Sequence, residues 1–346
     1  MTEIVIHAGF GKSGSTAIQR ALRDDAAHLA KESSTFIFGP DMKVSDGHPG
    51  AAPLWYLEKA RKEGRHLAEE LLTQVEEGKR YILSAENLSI AEFAPLFSGL
   101  DAEVKTTVVF YQRPEFKWLP SAWAQFGAHK GKSLRAFVAD AMKTGHPRHL
   151  ERIKAWQSSL PDATLMVRPV VREFMSGADD DFFENVLKTS RAVRSNEPGN
   201  ASFDYSLLDA LSKNYQVFEG RRVDRVFREI RKRIPKRYLK TNIELLDFAT
   251  QVQIEERYRD ENIHILSNFC STEIGDPVEF YNRNFKPKRT RAKSYLDLSA
   301  EEVQMRALSI LLQSTLTGWS LDEADLDERI DKLVRQKAAQ NSKGIG

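Results

Sequence analysis

Ile4-Val5-Ile6 is a short unbroken apolar run, rich in β-branched residues, that stops at a glycine-rich turn. That is the pattern of a parallel strand buried on both faces. From Ser15 to about Lys31 the apolar positions Ile18, Ala21, Leu22 and Leu29 recur at helical spacing. The chain is therefore expected to open as strand, glycine-rich loop, helix. Ser34–Phe38 (STFIF) reads as a second strand, stopped by Gly39-Pro40. Trp55–Val75 reads as a helix with Leu67, Leu71, Leu72 and Val75 on one face. Arg80–Leu83, Val104–Tyr111 and Ala163–Val167 are the third to fifth expected strands. Helices are expected at about Glu115–Ala128 and Ser133–Met142, and another begins at Asp181–Leu187.

Strands without alternation, separated by helices, imply a parallel sheet covered on both faces. After about residue 200 only helical patterns follow, at Leu207–Tyr215, Val223–Ile234, Ile243–Asn268, Val303–Leu312 and Leu326–Gln340. The expected fold is α/β: a central parallel sheet of about five strands with helices on both faces, plus a helical C-terminal part. Residues 1–200 would form the α/β core and 201–346 the helical region packed on it.

Composition changes this picture little. The 346 residues are 41% hydrophobic and 29% charged, an ordinary globular mix. Lys+Arg 51 against Asp+Glu 49 leaves a net charge of +2, so no global charge argues for a nucleic-acid partner. One cysteine, Cys270, excludes an intrachain disulfide and a cysteine-rich zinc site; it is expected to be buried and inert. No run approaches the length of a membrane span. The first residues do not read as a signal peptide, so a cytoplasmic location is expected, with at most peripheral membrane contact.

The candidate chemistry begins in the first turn. His7-Ala8-Gly9-Phe10-Gly11-Lys12-Ser13-Gly14-Ser15-Thr16 joins the first strand to the first helix. Glycines allow several backbone N–H groups to converge on one anion, and the helix adds the positive end of its dipole. Lys12 supplies a charge, and Ser13, Ser15 and Thr16 supply hydroxyls. A phosphate or sulfate group suits this set. The Walker A motif does not: it needs a glycine five positions ahead of the glycine of its Gly-Lys-Ser/Thr, and counting back from Gly11 lands on Ile6, inside the strand. Nor does a later expected strand end in a magnesium-binding aspartate.

The second motif is Arg113, at the end of the fourth expected strand, with Ser121 eight residues later on the next helix. An arginine at the carboxyl edge of a parallel strand lies where α/β sheets bind ligands, and its planar fork matches a phosphate.

Lys12-Ser13-Gly14-Ser15-Thr16 resembles the 5′-phosphosulfate loop of the sulfotransferases that use 3′-phosphoadenosine 5′-phosphosulfate (PAPS). Arg113 and Ser121 resemble the pair with which that family holds the 3′-phosphate. The likeness is nearest to bacterial sulfotransferases of the carbohydrate-sulfating type and covers most of residues 3–190 at the level of motifs. It implies a P-loop-like sulfotransferase fold, PAPS as donor, adenosine 3′,5′-bisphosphate (PAP) as product and no metal. It implies Gly11, Lys12, Ser13, Gly14, Ser15, Thr16, Arg113 and Ser121 at the nucleotide, and a hydroxyl acceptor, expected to be a carbohydrate and conceivably an acidic one.

Transfer would be an in-line displacement at sulfur, with Lys12 stabilising charge and a base taking the acceptor proton. The family's base is a His or Glu whose position varies. Glu86, after the third expected strand, and His48, in Ser45-Asp46-Gly47-His48-Pro49, are the two candidates; Asp41 is a weaker third. His7 reads as a structural contact. Glu219–Lys240 holds ten Lys/Arg and Arg283–Lys293 six, either solvated surfaces or a landing site for an acidic acceptor. Trp55, Trp118 and Trp123 are either core or sugar-stacking residues. Two rival readings stand beside the enzyme: a non-catalytic relative that binds a nucleotide or polyanion, and an ATP-dependent P-loop kinase.

Overall fold

A computed structural model describes residues 1–45, 54–193, 204–214, 244–270, 272–289 and 294–319. The fold is α/β around a six-stranded sheet. In chain order the strands are β1 (Glu3–Ala8), β2 (Thr35–Phe38), β3 (Val44–Ser45), β4 (Arg80–Ala85), β5 (Lys105–Gln112) and β6 (Thr164–Pro169). Their order across the sheet is β3-β2-β4-β1-β5-β6, and every pairing is parallel except β2 with β3. All five expected strands are present. The sixth, β3, is two residues long and was not expected; it pairs antiparallel with the end of β2.

The sheet is buried on both faces because its strands alternate between two cores. Ile4, Ile6 and Ala8 of β1 face one cluster with Leu83 and Phe110, covered by Leu57, Leu71, Ile153 and Trp156 from helices. Val5 faces the other, with Ile82, Val109 and Tyr111, under Ile18, Leu22, Leu29 and Phe182. Successive side chains of a strand point to opposite faces, so an all-apolar strand needs a helical layer on each side.

The helices break more often than their apolar periodicity suggests. The first expected helix is two: α1 (Ser15–Asp24) and α2 (Ala26–Ser33). The junction is Asp25, whose buried carboxylate accepts from Ala192 N and Val193 N at 2.9 Å and from Arg191. Trp55–Val75 is likewise divided, into α3 (Leu54–Lys62) and α4 (Leu67–Leu72). Gly64 at φ 64 turns the chain left-handed there, as glycine commonly does at a helix end. A short helix α5 (Leu100–Glu103) precedes β5. After β5, α6 (Glu115–Ala122) gives way to a π turn at Trp123–Gly127 beyond Pro120, which lacks the N–H that a regular turn uses.

The remaining α-helices of the described residues are α7 (Leu134–Thr144), α8 (His149–Ser159), α9 (Ala178–Asp181), α10 (Tyr205–Lys213), α11 (Phe248–Phe269), α12 (Pro277–Asn284) and α13 (Ala300–Trp319). The longer elements of the described C-terminal part are all helices, beside an isolated β-bridge between Glu244 and Ser294. The expected helices Val223–Ile234 and Leu326–Gln340, and the basic run Glu219–Lys240, lie outside the described residues.

Two compact units result. The first comprises Met1–Ala122, Arg135–Asn200 and Phe248–Thr290; it contains the whole sheet and also α11. In it Asn262 of α11 accepts from Gln112 Nε2 at 2.5 Å and donates to Glu115 at 2.7 Å, so α11 is tied to the end of β5 by buried polar contacts. The second comprises Trp123–Leu134, Ala201–Asp247 and Arg291–Gly346. Within it Trp123 stacks on Tyr205 at 6.2 Å, and Arg306 pairs with the buried Asp204 at 2.7 Å. Among the described residues no helix is long and apolar enough to cross a membrane.

Candidate functional site

Parallel register brings the chemistry-bearing segments to one edge of the sheet. Ala8, the last residue of β1, is opposite Ala85, the last of β4, so the loop from Gly9 and the 3-10 turn Glu86–Ser89 leave the sheet side by side. His7 is opposite Val109 of β5, and β5 runs on to Gln112, so Arg113 emerges past the loop on its other flank. This is the carboxyl edge, where α/β sheets bind ligands.

The loop is tight. Gly14 has φ 102, and a β-carbon there would lie 2.5 Å from Ala178 Cβ of α9. Lys12 has φ 68, a left-handed conformation that a lysine adopts at a cost of about 1 kcal/mol. At Gly9 a β-carbon would lie 2.2 Å from Ser15 Oγ and 2.9 Å from His7 Nε2. Both polar atoms therefore point at the inside of the same turn. At Gly11 a β-carbon would lie 3.0 Å from Glu86 Oε1, so the Glu86 carboxylate rests against the loop.

The polar groups within the loop are notable for what they lack. His7 Nε2, Ser13 Oγ and Ser15 Oγ are buried and have no hydrogen-bond partner among the described residues. Unpaired buried polar atoms are rare because each costs on the order of 1–3 kcal/mol. Two of them, His7 Nε2 and Ser15 Oγ, lie together against Gly9, and Ser13 belongs to the same loop, which leads into the ten-residue helix α1, whose first N–H groups lack intrahelical partners. Such a set fits an oxyanion: hydroxyl donors, backbone donors and the dipole act on the same place.

His7 is held by its other nitrogen. Nδ1 lies 2.8 Å from Ser84 Oγ of β4, and the ring meets Tyr111 edge-on. Burial pushes its pKa down to about 3, so the imidazole is neutral at ordinary pH. The folded protein thus resists a proton that the unfolded chain, near 6.5, accepts. Stability is fully present above about pH 6.5 and is lost as pH falls toward 3, by up to about 1.4 kcal/mol per pH unit. In urea titrations between pH 6.5 and 5, above most carboxylates, wild type is expected to lose stability with falling pH. His7→Gln is expected to reduce that slope by about half, because His146, whose pKa burial also lowers, to about 4, supplies the rest; an unchanged slope would remove His7 as a source.

The second motif is drawn to the loop by a residue that sequence reasoning valued for other reasons. Trp118 Nε1 of α6 donates to Gly11 O at 2.6 Å. Trp118 is buried, as is Trp123, so neither presents a face for stacking a sugar; of the three candidates only Trp55 is exposed, at 65%. Ser121 follows Trp118 by three residues, hence on the same side of α6, and is half-buried. Arg113 is half-buried at the end of β5. Thr16 is exposed in the first turn of α1.

Among the base candidates, Glu86 is half-buried against Gly11, while Asp41 is exposed and accepts from Lys43 N at 3.3 Å, as a turn residue does. His48 lies outside the described residues. Cys270 is half-buried, and burial pushes its thiol up to about 12, which leaves it un-ionised. Arg283 and Lys288 are described, whereas the end of that basic run, from residue 290 to 293, is not.

No family model matches the chain, and no curated protein matches it. The geometry alone therefore carries the functional argument. Beyond the sequence motifs it adds Trp118 as the tie between α6 and the loop, the His7–Ser84 contact, and Ala178 against Gly14. Only the small size of Gly14 and Ala178 hinted at that last contact, since two chains approach closely where both side chains are small.

Proposed function

We propose that the chain is a sulfotransferase that moves a sulfuryl group from PAPS to a hydroxyl acceptor, most suitably a carbohydrate. The observation that carries this reading is the trio of buried, unpaired polar atoms, His7 Nε2, Ser13 Oγ and Ser15 Oγ, gathered under a lysine-bearing loop at the start of a helix. Together with the early lysine, which is out of place for Walker A, this supports an oxyanion donor other than the triphosphate of ATP.

In this mechanism the loop from Gly11 to Thr16 holds the 5′-phosphosulfate, and Arg113 and Ser121 hold the 3′-phosphate. PAPS supplies an activated sulfuryl group whose leaving group is PAP. The acceptor oxygen forms the new S–O bond as the bond to the phosphate oxygen breaks, and the hydroxyl proton goes to a base. Glu86 suits that task by its position against Gly11, and His48 is the second candidate. Lys12 offsets the negative charge that gathers on the bridging and peripheral oxygens. No step requires a metal. The reading of the protein as a non-catalytic binder of nucleotide or polyanion shares the loop and Arg113 but assigns no base.

Calorimetric titration with PAP beside ADP and ATP tests the donor assignment. Selective binding of PAP is expected, and Arg113→Ala should weaken it at least about tenfold, since a charge-assisted phosphate contact is lost. A magnesium-dependent preference for ATP would sink the proposal. Binding of PAP without transfer to any of a panel of glycans, with Glu86→Gln unchanged in every property, would favour the non-catalytic reading.

A further inference from the structure

Arg152 lies on α8, half-buried. A guanidinium has five N–H donors. Among the described residues this one makes a single hydrogen bond, from Nη1 to the neutral Ser89 Oγ at 3.2 Å, and no carboxylate lies within ion-pair distance. Glu92 and Glu151 act on it only from farther off, and Glu151 is already engaged with Arg148 at 3.6 Å. A charge taken out of water without a counter-ion is costly, and burial accordingly pulls the arginine's pKa down.

Its surroundings hold charges of both signs, Glu92 and Glu151 against Arg148. His146, half-buried, is pushed down to about 4 by burial first, and then by Arg152, His149 and Arg148; Asp140 alone acts the other way. His146 is therefore neutral, with ring nitrogens suited to hydrogen bonding. Its ring packs 5.3 Å from that of Trp118, the residue that donates to Gly11 O. Ser89, the partner of Arg152, closes the 3-10 turn that begins at Glu86, and its hydroxyl donates to Glu86 O at 2.9 Å. Residues three apart in a 3-10 turn lie one above the other. Arg152 is thus joined through Ser89 to the turn that carries Glu86, while His146, near enough to feel its charge, packs on Trp118, which holds the loop.

We propose that Arg152 binds an anionic group of the acceptor, a carboxylate or a sulfate carried on a sugar next to the one that reacts. This rests on the reading of the Glu86 side as the acceptor side. The site differs from the loop and from Arg113: its cation comes from α8 and is held by the turn after β4. It needs a negative charge on the ligand, because a neutral sugar leaves the guanidinium as uncompensated as before.

Calorimetry in the presence of PAP, on the full chain, decides it. The probes are a glucuronate-containing tetrasaccharide, its carboxyl-reduced counterpart, and a sulfated tetrasaccharide without carboxylates. Wild type is expected to bind at least one of the anionic glycans about tenfold or more tighter than the reduced one, as a charge-assisted contact implies. Which anionic glycan is preferred identifies carboxylate or sulfate. Arg152→Gln keeps a donor for Ser89 and is expected to erase the preference while PAP binding and Tm stay at wild-type values. Equal affinity for charged and reduced glycans in wild type, or a preference that survives Arg152→Gln, overturns the subsite. If PAP fails to bind while the charge preference persists and depends on Arg152, the subsite stands and the donor assignment falls.

Discussion

On the proposed sulfotransferase reading, Lys12→Gly is expected to lower sulfuryl transfer by about 10²–10³-fold, the usual effect of removing one group that stabilises transition-state charge, without destabilising the fold. The two effects separate because of the backbone. Lys12 sits at φ 68, where a side chain adds strain and glycine adds none. Relief of that strain and the extra freedom of glycine in the unfolded chain roughly cancel, so Tm should stay near that of wild type or rise slightly. A lysine kept in a conformation that glycine would adopt more readily suggests that its amine is needed. Labelled-donor transfer to a glycan panel, with thermal unfolding measured on the same samples, checks both halves. Transfer at the wild-type rate by Lys12→Gly would remove the charge-stabilising role. A large drop in Tm would mean that the side chain is structural.

The five long strands were legible because each is an apolar run ended by a turn residue, and burial on both faces leaves no other place for such runs. The glycine loop was legible for the same reason, since it follows directly on Ile6. What escaped depends on partners distant in sequence. Asp25 divides a helix whose apolar spacing continues across it, because its carboxylate binds the backbone at Ala192 and Val193. Strand β3 is only two residues and exists by pairing with β2. Helix α8 has few apolar positions and was missed, yet it brings Trp156 into the core and Arg152 to Ser89. His7 read as a structural contact, and its Nδ1 does meet Ser84, but Ser84, 77 residues away, is named only by the register of β1 on β4, and the unpaired Nε2 facing the loop was not foreseen. Trp118 read as either core or a sugar platform; it is core, and the tie of its N–H to Gly11 O was not foreseen.

Buried charge is the hardest case of all, because a pattern of polar and apolar positions sends every arginine to the surface. Arg168, in β6, is 2% exposed. It forms a two-pronged ion pair with Asp181 and a further bond to Glu273 at 3.0 Å. Asp181 also accepts from Tyr111 Oη at 2.8 Å and from Asn185 at 2.9 Å. These contacts fix α9 against the sheet, and α9 carries Ala178, which abuts Gly14 of the loop. The arginine therefore acts on the site at second hand, by holding the wall on which the loop rests. Arg168→Leu would leave Asp181 buried with hydroxyl and amide donors but no cation. Removing one partner of a buried pair costs about 3–5 kcal/mol, much more than the pair is worth against a well-packed apolar substitute. Urea denaturation should show a loss of that size. Replacing both residues, Arg168→Leu with Asp181→Leu, should recover part of it, because no unpaired charge remains. PAP affinity, measured where each variant is still folded, should fall in the single variant and return in step with stability in the double one. A single variant as stable as wild type would mean that Asp181 finds other compensation. A double variant restored in stability but not in PAP binding would mean that loop placement depends on the ion pair itself and not only on the anchoring of α9.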